Sequence, residues 1–372
     1  MLIGVPKEIK NHEYRVGMTP GSVREAVAHG HAVMIQTGAG VGIGSSDADY
    51  QAAGARIADT ATEIFAEADM VVKVKEPQAV ERKMLREGQT LFTYLHLAPD
   101  PEQTKDLVES GAICIAYETV TDARGGLPLL APMSQVAGRL AVQAGAHCLE
   151  KANGGEGILL GGVPGVAPAR VVVIGGGVVG ENAITIALGM GADVTVLDRN
   201  VNVLARLSGQ FGAALKTVYS TQAALEELVT DGDLVIGGVL VKGAAAPKLV
   251  TAEMVRAMKT GSVLADVAID QGGCFETSHA TTHDDPTYVV DDVVHYCVAN
   301  MPGAVPRTST HALNNATLPF ILQLADKGYK QALSENVHLL EGLNVHKGDV
   351  TYEAVANDLG YSFVDPTRAI AG

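Results

Sequence analysis

Short apolar runs alternate with amphipathic stretches from the first residue to about Tyr117. The runs are rich in β-branched residues and end at turn-forming residues, which is typical of buried strands. Five such strands are predicted at Leu2–Val5, Ala32–Gln36, Met70–Val74, Leu91–Leu95 and Ile113–Tyr117. The stretches between them predict helices at Pro20–His29, Ala61–Glu67 and Glu102–Ser110. This alternation predicts a mainly parallel sheet with both faces covered.

A second series of apolar runs follows a helical stretch from Pro132 or Met133 to about Lys151 and a glycine-rich loop at Gly154–Gly165. Its predicted strands are Val171–Ile174, Val194–Leu197, Thr217–Tyr219, Leu234–Ile236, Val263–Val267 and Tyr288–Val290. After Pro306 the pattern becomes helical, and the helices expected there are Thr308 to about Leu343 and a short one near Thr351–Leu359.

The two series predict an α/β protein of two doubly wound, Rossmann-like domains. One domain would comprise residues 1–130 and 307–372, and the other residues 131–306. Ligands of doubly wound sheets bind beyond the carboxyl ends of the strands. We therefore expect an active-site cleft between the two domains.

A G-x-G-x-x-G motif, formed by Gly175, Gly177 and Gly180, directly follows the predicted strand Val171–Ile174. In a dinucleotide site the first glycine permits a tight turn, the second lets the pyrophosphate approach, and the third lets helix and strand pack closely. Asp198 ends the next strand, 18 residues past Gly180, where an acid can bond the ribose hydroxyls. The complete strand–turn–helix–strand–acid order predicts NAD binding.

Composition argues against several other classes of function. The chain has 372 residues, is 47% hydrophobic and carries a net charge of −15, which argues against nucleic acid or an anionic membrane as partner. No apolar run reaches the ~18 residues that span a bilayer. The four cysteines are scattered without metal-ligand spacing, and the charged N-terminus does not resemble a secretory signal. We expect a cytoplasmic protein without a metal.

Polar residues follow several of the predicted strands. Lys75 follows Met70–Val74, His96 follows Leu91–Leu95, and Arg15 lies in the loop after the first strand. In the second domain Asp270 follows the apolar run 262–269, and Ser134 begins the long helix. Two cations, an imidazole and a carboxylate at strand ends could bind a small carboxylic acid that bears an amine or a hydroxyl and move its protons while the dinucleotide oxidises it.

Each of these residues also has a purely structural interpretation. Arg15 and Lys75 could be surface charges, and His96, between two leucines, could be a half-buried histidine. Asp270 could cap the turn that follows it. Asp266, inside the predicted strand, is expected to be structural and to bond a neighbouring loop.

Dispersed segments along the whole chain resemble the alanine dehydrogenase/pyridine nucleotide transhydrogenase family. Besides the glycine motif, the segments that carry the resemblance are Gly4–Val16 (GVPKEIKNHEYRV), Val72–Pro77 (VKVKEP), Tyr94–Ala98 (YLHLA), Met133–Gly138 (MSQVAG), Asp270–Gly273 (DQGG) and Asn300–Pro306 (NMPGAVP). The resemblance implies an NAD-dependent enzyme that converts L-alanine reversibly into pyruvate and ammonium, and it suggests a homohexamer.

The resemblance also implies roles for matching residues. Arg15 and Lys75 would bind the substrate, His96 would donate and accept protons, and Asp270 would act beside it on water or amine. Cofactor contacts would come from Ser134, Gly175, Gly177, Val178, Val179, Gly180, Asp198, Ser220, Val239, Leu240, Val267, Ala268, Ile269, Asp270, Val298, Ala299, Asn300 and Met301.

Some positions depart from the family pattern. Val203 and His279 stand where the family often has basic residues that contact the cofactor, so binding at the adenosine end could differ. Gln323 and Lys327 stand near the positions at which the family's metal is described, and neither is a good ligand for a hard cation. The alternatives left open are a transhydrogenase-like subunit, another amino-acid dehydrogenase and a non-catalytic NAD sensor.

Overall fold

The computed structural model describes residues 1–239 and 246–371. The chain forms two compact units. Unit 1 consists of Met1–Met133 and the chain from Val305 onward, and unit 2 consists of Ser134–Ala304.

Unit 1 is built on an eight-stranded sheet. Its strands are β1 (Leu2–Val5), β2 (Ala32–Gln36), β3 (Arg56–Ala58), β4 (Met70–Val72), β5 (Thr90–Thr93), β6 (Ile113–Ala116), β14 (Leu343–His346) and β15 (Asp349–Val350). The order is β15-β14-β6-β5-β4-β1-β2-β3. The strands from β6 to β3 are parallel, and β14 runs antiparallel to both of its neighbours, β6 and β15. Its helices are α1 (Pro20–Ala28), α2 (Asp47–Ala52), α3 (Ala61–Glu67), α4 (Ala79–Arg82), α5 (Pro101–Ser110), α11 (Pro306–Glu335), α12 (Val337–Leu340), α13 (Glu353–Leu359) and α14 (Pro366–Ala371).

Unit 2 is built on a seven-stranded sheet. Its strands are β7 (Arg170–Ile174), β8 (Asp193–Asp198), β9 (Leu215–Tyr219), β10 (Leu234–Gly237), β11 (Val263–Asp266), β12 (Thr287–Val290) and β13 (Val293–Tyr296). The order is β12-β13-β11-β10-β7-β8-β9, and only β12 runs antiparallel. Its helices are α7 (Val178–Gly189), α8 (Val201–Phe211), α9 (Gln222–Asp231) and α10 (Ala252–Ala257), and the chain enters the unit through α6 (Ala131–Cys148).

Both sheets reverse their strand order beside their first strand. In unit 1 the reversal lies between β1 and β4, and in unit 2 it lies between β7 and β10. This is the doubly wound arrangement, and it confirms the predicted fold class. The apolar runs are buried as expected: the central strands β4 to β6 of unit 1 and β10 and β11 of unit 2 are buried along their whole length.

The helix predicted from Thr308 to about Leu343 is confirmed as far as Glu335, apart from a kink at Gly328, but it does not continue unbroken to Leu343. Helix α11 ends at Glu335, and Asn336 then starts α12 because its side chain accepts the N–H groups of His338 and Leu339, both at 3.1 Å. The chain then enters β14, which pairs antiparallel with β6. The leucines of this segment also fit a helical period, so only the pairing with β6 identifies the strand.

Four strands end earlier than predicted, and one of them, β6, ends at Ala116 instead of Tyr117. The strands before Lys75 and His96 end at Val72 and Thr93, so both residues lie in loops. The run 262–269 leaves the sheet after Asp266, whose carboxylate accepts the N–H groups of Ala268 at 3.1 Å and Cys274 at 2.9 Å. These hydrogen bonds confirm the structural role expected for Asp266.

Among the residues that the structure describes, no helix combines the length and the apolar character needed to cross a membrane.

Candidate functional site

Three of the predicted functional residues share one edge of the unit 1 sheet. Arg15, Lys75 and His96 follow β1, β4 and β5, which are neighbours in the sheet. Since these strands are parallel, their carboxyl ends lie at the same edge, next to the reversal of strand order. The fold thus brings the two cations and the imidazole to the position where doubly wound sheets bind ligands.

Arg15 is buried and held by Glu13. Its Nε and Nη2 donate to the two carboxylate oxygens of Glu13 at 2.7 and 2.5 Å, and its Nη1 lies 3.0 Å from the sulfur of Met133. Burial acts against the positive charge, but Glu13 offsets it, so the pKa of Arg15 is raised and the residue stays cationic. This forked pairing fixes the plane of the guanidinium.

A buried ion cluster lies beside the backbone of Lys75. The ammonium of Lys73 donates to Glu8 at 2.9 Å and to Glu81 at 2.8 Å, and none of the three side chains is more than 2% exposed. Burial acts to lower the pKa of Lys73, but the two carboxylates outweigh it and raise that pKa. The other oxygen of Glu8 accepts the backbone N–H groups of Val74 at 2.7 Å and Lys75 at 3.3 Å.

His96 adopts a left-handed backbone conformation, with φ of 52°. Its N–H donates to Glu118 at 2.6 Å, and its Nδ1 lies 3.8 Å from the same carboxylate oxygen. The imidazole is 45% exposed and stacks on the ring of Tyr94 at a centroid distance of 5.8 Å. The imidazole is therefore partly buried, as the structural alternative expects, but it is accessible to a ligand and has a defined orientation.

A cavity of about 390 Å³ opens beside Arg15. It is lined by the loop from Lys7 to Arg15 and by residues of the loop that follows β2, including Gly38 and Gly42. Its volume lies in the lower part of the range of small-ligand pockets.

The glycine motif of unit 2 has the geometry of a phosphate-binding turn. Gly175 has φ of 96°. Gly177 is the N-cap of α7 and has no side chain, so no cap side chain occupies the first N–H groups of the helix. A Cβ added at Gly177 would meet no heavy atom within 4 Å among the described residues, whereas one at Gly180 would lie 1.8 Å from the carbonyl oxygen of Gly175. Gly177 therefore leaves open space for a ligand, and Gly180 lets helix and strand pack.

Asp198 is tied to this turn. One of its oxygens accepts the N–H of Gly176 at 2.7 Å, and the other accepts the N–H of Asn200 at 2.7 Å. The carboxylate thus stands at the end of β8, where it can also accept from ribose hydroxyls. Arg206, which the sequence did not single out, reaches the carbonyl oxygen of Gly176 at 3.3 Å and pairs with Glu181 at 2.7 Å.

The remaining predicted cofactor residues of unit 2 also lie at carboxyl ends of strands, apart from Ser134 in α6. Ser220 follows β9, Val239 follows β10, residues 267–270 follow β11, and residues 298–301 follow β13. Val178 and Val179 begin α7 beside the turn. Leu240 lies outside the described residues.

Asp270 does not directly follow a strand. It lies in a short 3-10 helix, Ile269–Gln271, and its carboxylate is exposed and accepts the N–H of Asn300 at 3.3 Å. This hydrogen bond joins two loops that follow the neighbouring strands β11 and β13. The structure brings Asp270 together with the predicted cofactor segment 298–301.

The described residues contain no group of three or more His, Cys, Asp or Glu side chains placed to hold a metal ion. The turn at Gly175–Gly180, the open space at Gly177 and the acid at the end of β8 do fit a dinucleotide.

The sequence interpretation also did not single out Glu8, Glu13 and Glu118, whose carboxylates bind predicted site residues or the backbone beside them. Glu8 and Glu13 lie inside the Gly4–Val16 segment, so their presence beside a strand end was visible. The partners of Glu8 and Glu118 were not visible, because Glu8 lies 67 residues from Lys75 and Glu118 lies 22 residues from His96.

Two family models match consecutive parts of the chain. The model "Alanine dehydrogenase/PNT, N-terminal domain" matches residues 4–137, and "Alanine dehydrogenase/PNT, C-terminal domain" matches residues 141–353. The chain is 64% identical over 370 residues to the alanine dehydrogenase of Halomonas elongata, and all of both chains is covered.

Solved structures show the same similarity. An L-alanine dehydrogenase superposes with a TM-score of 0.94 at 52% identity, over 97% of this chain and 99% of that one. A transhydrogenase from Sinorhizobium meliloti superposes with a TM-score of 0.82 at 25% identity, over 95% of this chain and 100% of that one. These matches, together with the doubly wound sheets and their strand-end residues, show that the chain belongs to the alanine dehydrogenase/PNT family.

Proposed function

We propose that this protein catalyses the reversible, NAD-dependent oxidative deamination of L-alanine to pyruvate and ammonium. The observation that carries the proposal is the full-length identity of 64% to an alanine dehydrogenase. The arrangement of Arg15, Lys75 and His96 at one sheet edge supports it, because a non-catalytic NAD sensor has no use for this set of residues.

The residues of unit 2 would hold NAD, which supplies a hydride acceptor when bound. The N–H groups at the start of α7 would bind the pyrophosphate, and Gly177 would leave room for it. Asp198 would bind the adenosine ribose and would disfavour a 2′-phosphate by charge repulsion. The loops that carry Val239, residues 267–270 and residues 298–301 would line the rest of the dinucleotide site.

The residues of unit 1 would bind the amino acid and move protons. Arg15 and Lys75 supply the positive charge for the alanine carboxylate, and Glu13 holds the guanidinium in one plane. The imidazole of His96 would take a proton from the water that adds to the imine carbon of oxidised alanine. It would then return that proton to the nitrogen that leaves as ammonia, and Asp270 would orient the water or the amine.

The test is oxidation of NADH by pyruvate in the presence of ammonium. We expect NADH consumption that requires both compounds, with pyruvate preferred over glyoxylate and other 2-oxo acids. If another 2-oxo acid is strongly preferred, the substrate assignment is wrong. If NADH is consumed only when a second nucleotide accepts the hydride, the transhydrogenase-like alternative is favoured.

The oligomer and the compartment belong to the same proposal. We infer a cytoplasmic homohexamer, supported by membership of the family. Sedimentation velocity of the purified protein would show a species of six chains, and a stable monomer or dimer at assay concentration would contradict it.

A further inference from the structure

Two glutamates bind the backbone beside the proposed substrate and proton-transfer residues. Glu118 accepts the N–H of His96 at 2.6 Å, and both of its oxygens lie 3.2 Å from the N–H of Leu95. Glu8 accepts the N–H groups of Val74 at 2.7 Å and Lys75 at 3.3 Å. In each pair one carboxylate takes the N–H of the functional residue and that of the residue before it.

We propose that Glu118 is the positioning residue of His96 and that Glu8 is the positioning residue of Lys75. The inference rests on the proposed function, since it assigns proton transfer to His96 and substrate binding to Lys75. It adds two residues that act through the backbone and need no contact with the substrate.

The conformation of His96 makes Glu118 necessary. A histidine with φ of 52° is in a strained region that the rest of the structure must stabilise. Consecutive N–H groups point in one direction at this turn, and an ionised carboxylate binds such a pair more strongly than a neutral acceptor does. The same oxygen lies 3.8 Å from Nδ1, so Glu118 also faces the imidazole whose orientation it sets.

Glu8 acts at the reversal of strand order. It lies in the loop after β1, which also carries Arg15, and it binds the backbone just after β4, which carries Lys75. Its second oxygen binds the ammonium of Lys73 at 2.9 Å, so the carboxylate is fixed at both oxygens. Glu8 therefore sets the distance between the loops that hold the two cations.

The experiment compares kcat and KM in the full-length protein. The variants are Glu118→Ala, Glu118→Gln, Glu8→Ala and Glu8→Gln. The control is Asp122→Ala, because Asp122 also accepts two backbone N–H groups, those of Arg124 and Gly126, both at 2.8 Å in the same unit. Thermal unfolding and the dissociation constant of NADH are measured for every variant.

We expect the two glutamates to act on different constants. Misplacing a reacting group by about 1 Å costs roughly 100-fold in rate, so Glu118→Ala should lower kcat by about 10- to 100-fold with KM for alanine changed less than about twofold. Glu8→Ala should raise KM for alanine about tenfold, with a smaller effect on kcat. Each Gln variant, which keeps one acceptor and the side-chain shape, should recover part of the loss. The NADH constant and the control variant should match the wild type.

Several results would overturn the proposal. One is wild-type kinetics in the Ala variants. Another is the same pattern of change in kcat and KM for the Glu118 and Glu8 variants. The third is a loss of activity that follows thermal stability alone. If an Ala variant does not fold, the isosteric Gln variant decides by the same criterion. An inactive wild-type protein would instead refute the proposed function. In that case the positioning role of Glu118 is tested by the NMR signal of the His96 backbone amide. In ¹⁵N-histidine-labelled protein its proton should resonate downfield and move upfield in Glu118→Gln, and an unchanged resonance would count against the proposal.

Discussion

Gly180 packs directly against the backbone of Gly175: a Cβ at position 180 would lie 1.8 Å from the carbonyl oxygen of residue 175. Gly180→Ala should therefore destabilise unit 2, because a backbone carbonyl cannot rotate away as a side chain could. We expect a loss of about 3 kcal/mol, or roughly 6–12 °C in Tm, measured by thermal unfolding. A Tm within experimental error of the wild type would contradict this packing.

Gly177→Ala is the matched comparison at the same turn. Its φ of −71° suits alanine, and the added Cβ would meet no described heavy atom within 4 Å. We expect unchanged Tm but a dissociation constant for NADH raised about tenfold or more, since the methyl group occupies the space through which the pyrophosphate approaches. Tight NADH binding in this variant would place the phosphates elsewhere.

Asp198→Ser should weaken the selection of NAD over NADP. The carboxylate repels a 2′-phosphate, while serine retains a hydrogen-bonding group near the N–H of Gly176. We expect KM for NAD to rise and the ratio of kcat/KM values for NAD and NADP to fall by about tenfold or more. Initial rates with both cofactors measure this, and an unchanged ratio would assign the selectivity to another residue.

His96→Ala should remove proton transfer without affecting the cofactor site. The loss of a general acid–base group lowers kcat by about 10²–10⁴-fold, whereas the dissociation constant of NADH should stay within twofold because the glycine motif is untouched. Fluorescence titration with NADH and steady-state rates check the two parts. Near-normal turnover would exclude His96 from the reaction.

His295 should make the folded protein less stable below about pH 6.5. Its Nδ1 lies 3.0 Å from the carbonyl oxygen of Val293 and its Nε2 lies 2.7 Å from the hydroxyl of Thr277, which fits a neutral ring that donates once and accepts once. Burial lowers the pKa of His295 from its ordinary value of 6.5. As pH falls through 6.5 the unfolded chain takes up a proton that the folded protein does not, so the free energy of unfolding decreases.

The stability of the wild type is compared with that of His295→Gln, whose side chain cannot titrate. The variant should be less stable than the wild type at pH 7.5. This difference in the free energy of unfolding should shrink by up to about 1.4 kcal/mol per pH unit below 6.5. Denaturant unfolding of both proteins at several pH values measures this change. A deficit that stays constant with pH would show that His295 is not held neutral.

The sequence by itself determined the local features of this protein. Strands β1 and β2 have the predicted bounds, and helix α3 does as well, because buried strands and capped helices are encoded by nearest neighbours in sequence. The glycine motif could be interpreted for the same reason: the turn, the helix start and the acid at the end of β8 all lie within Ala169–Arg199.

Only the tertiary structure decided the features that depend on distant partners. Leu343–His346 is a strand because β6 offers it an open edge, although Leu343 also continues the helical pattern of the residues before it. Glu118 and Glu8 bind N–H groups that are 22 and 67 residues away in the chain, and no periodicity encodes such pairs. The strained backbone of His96 likewise depends on a carboxylate that reaches it only after β5 and β6 have paired.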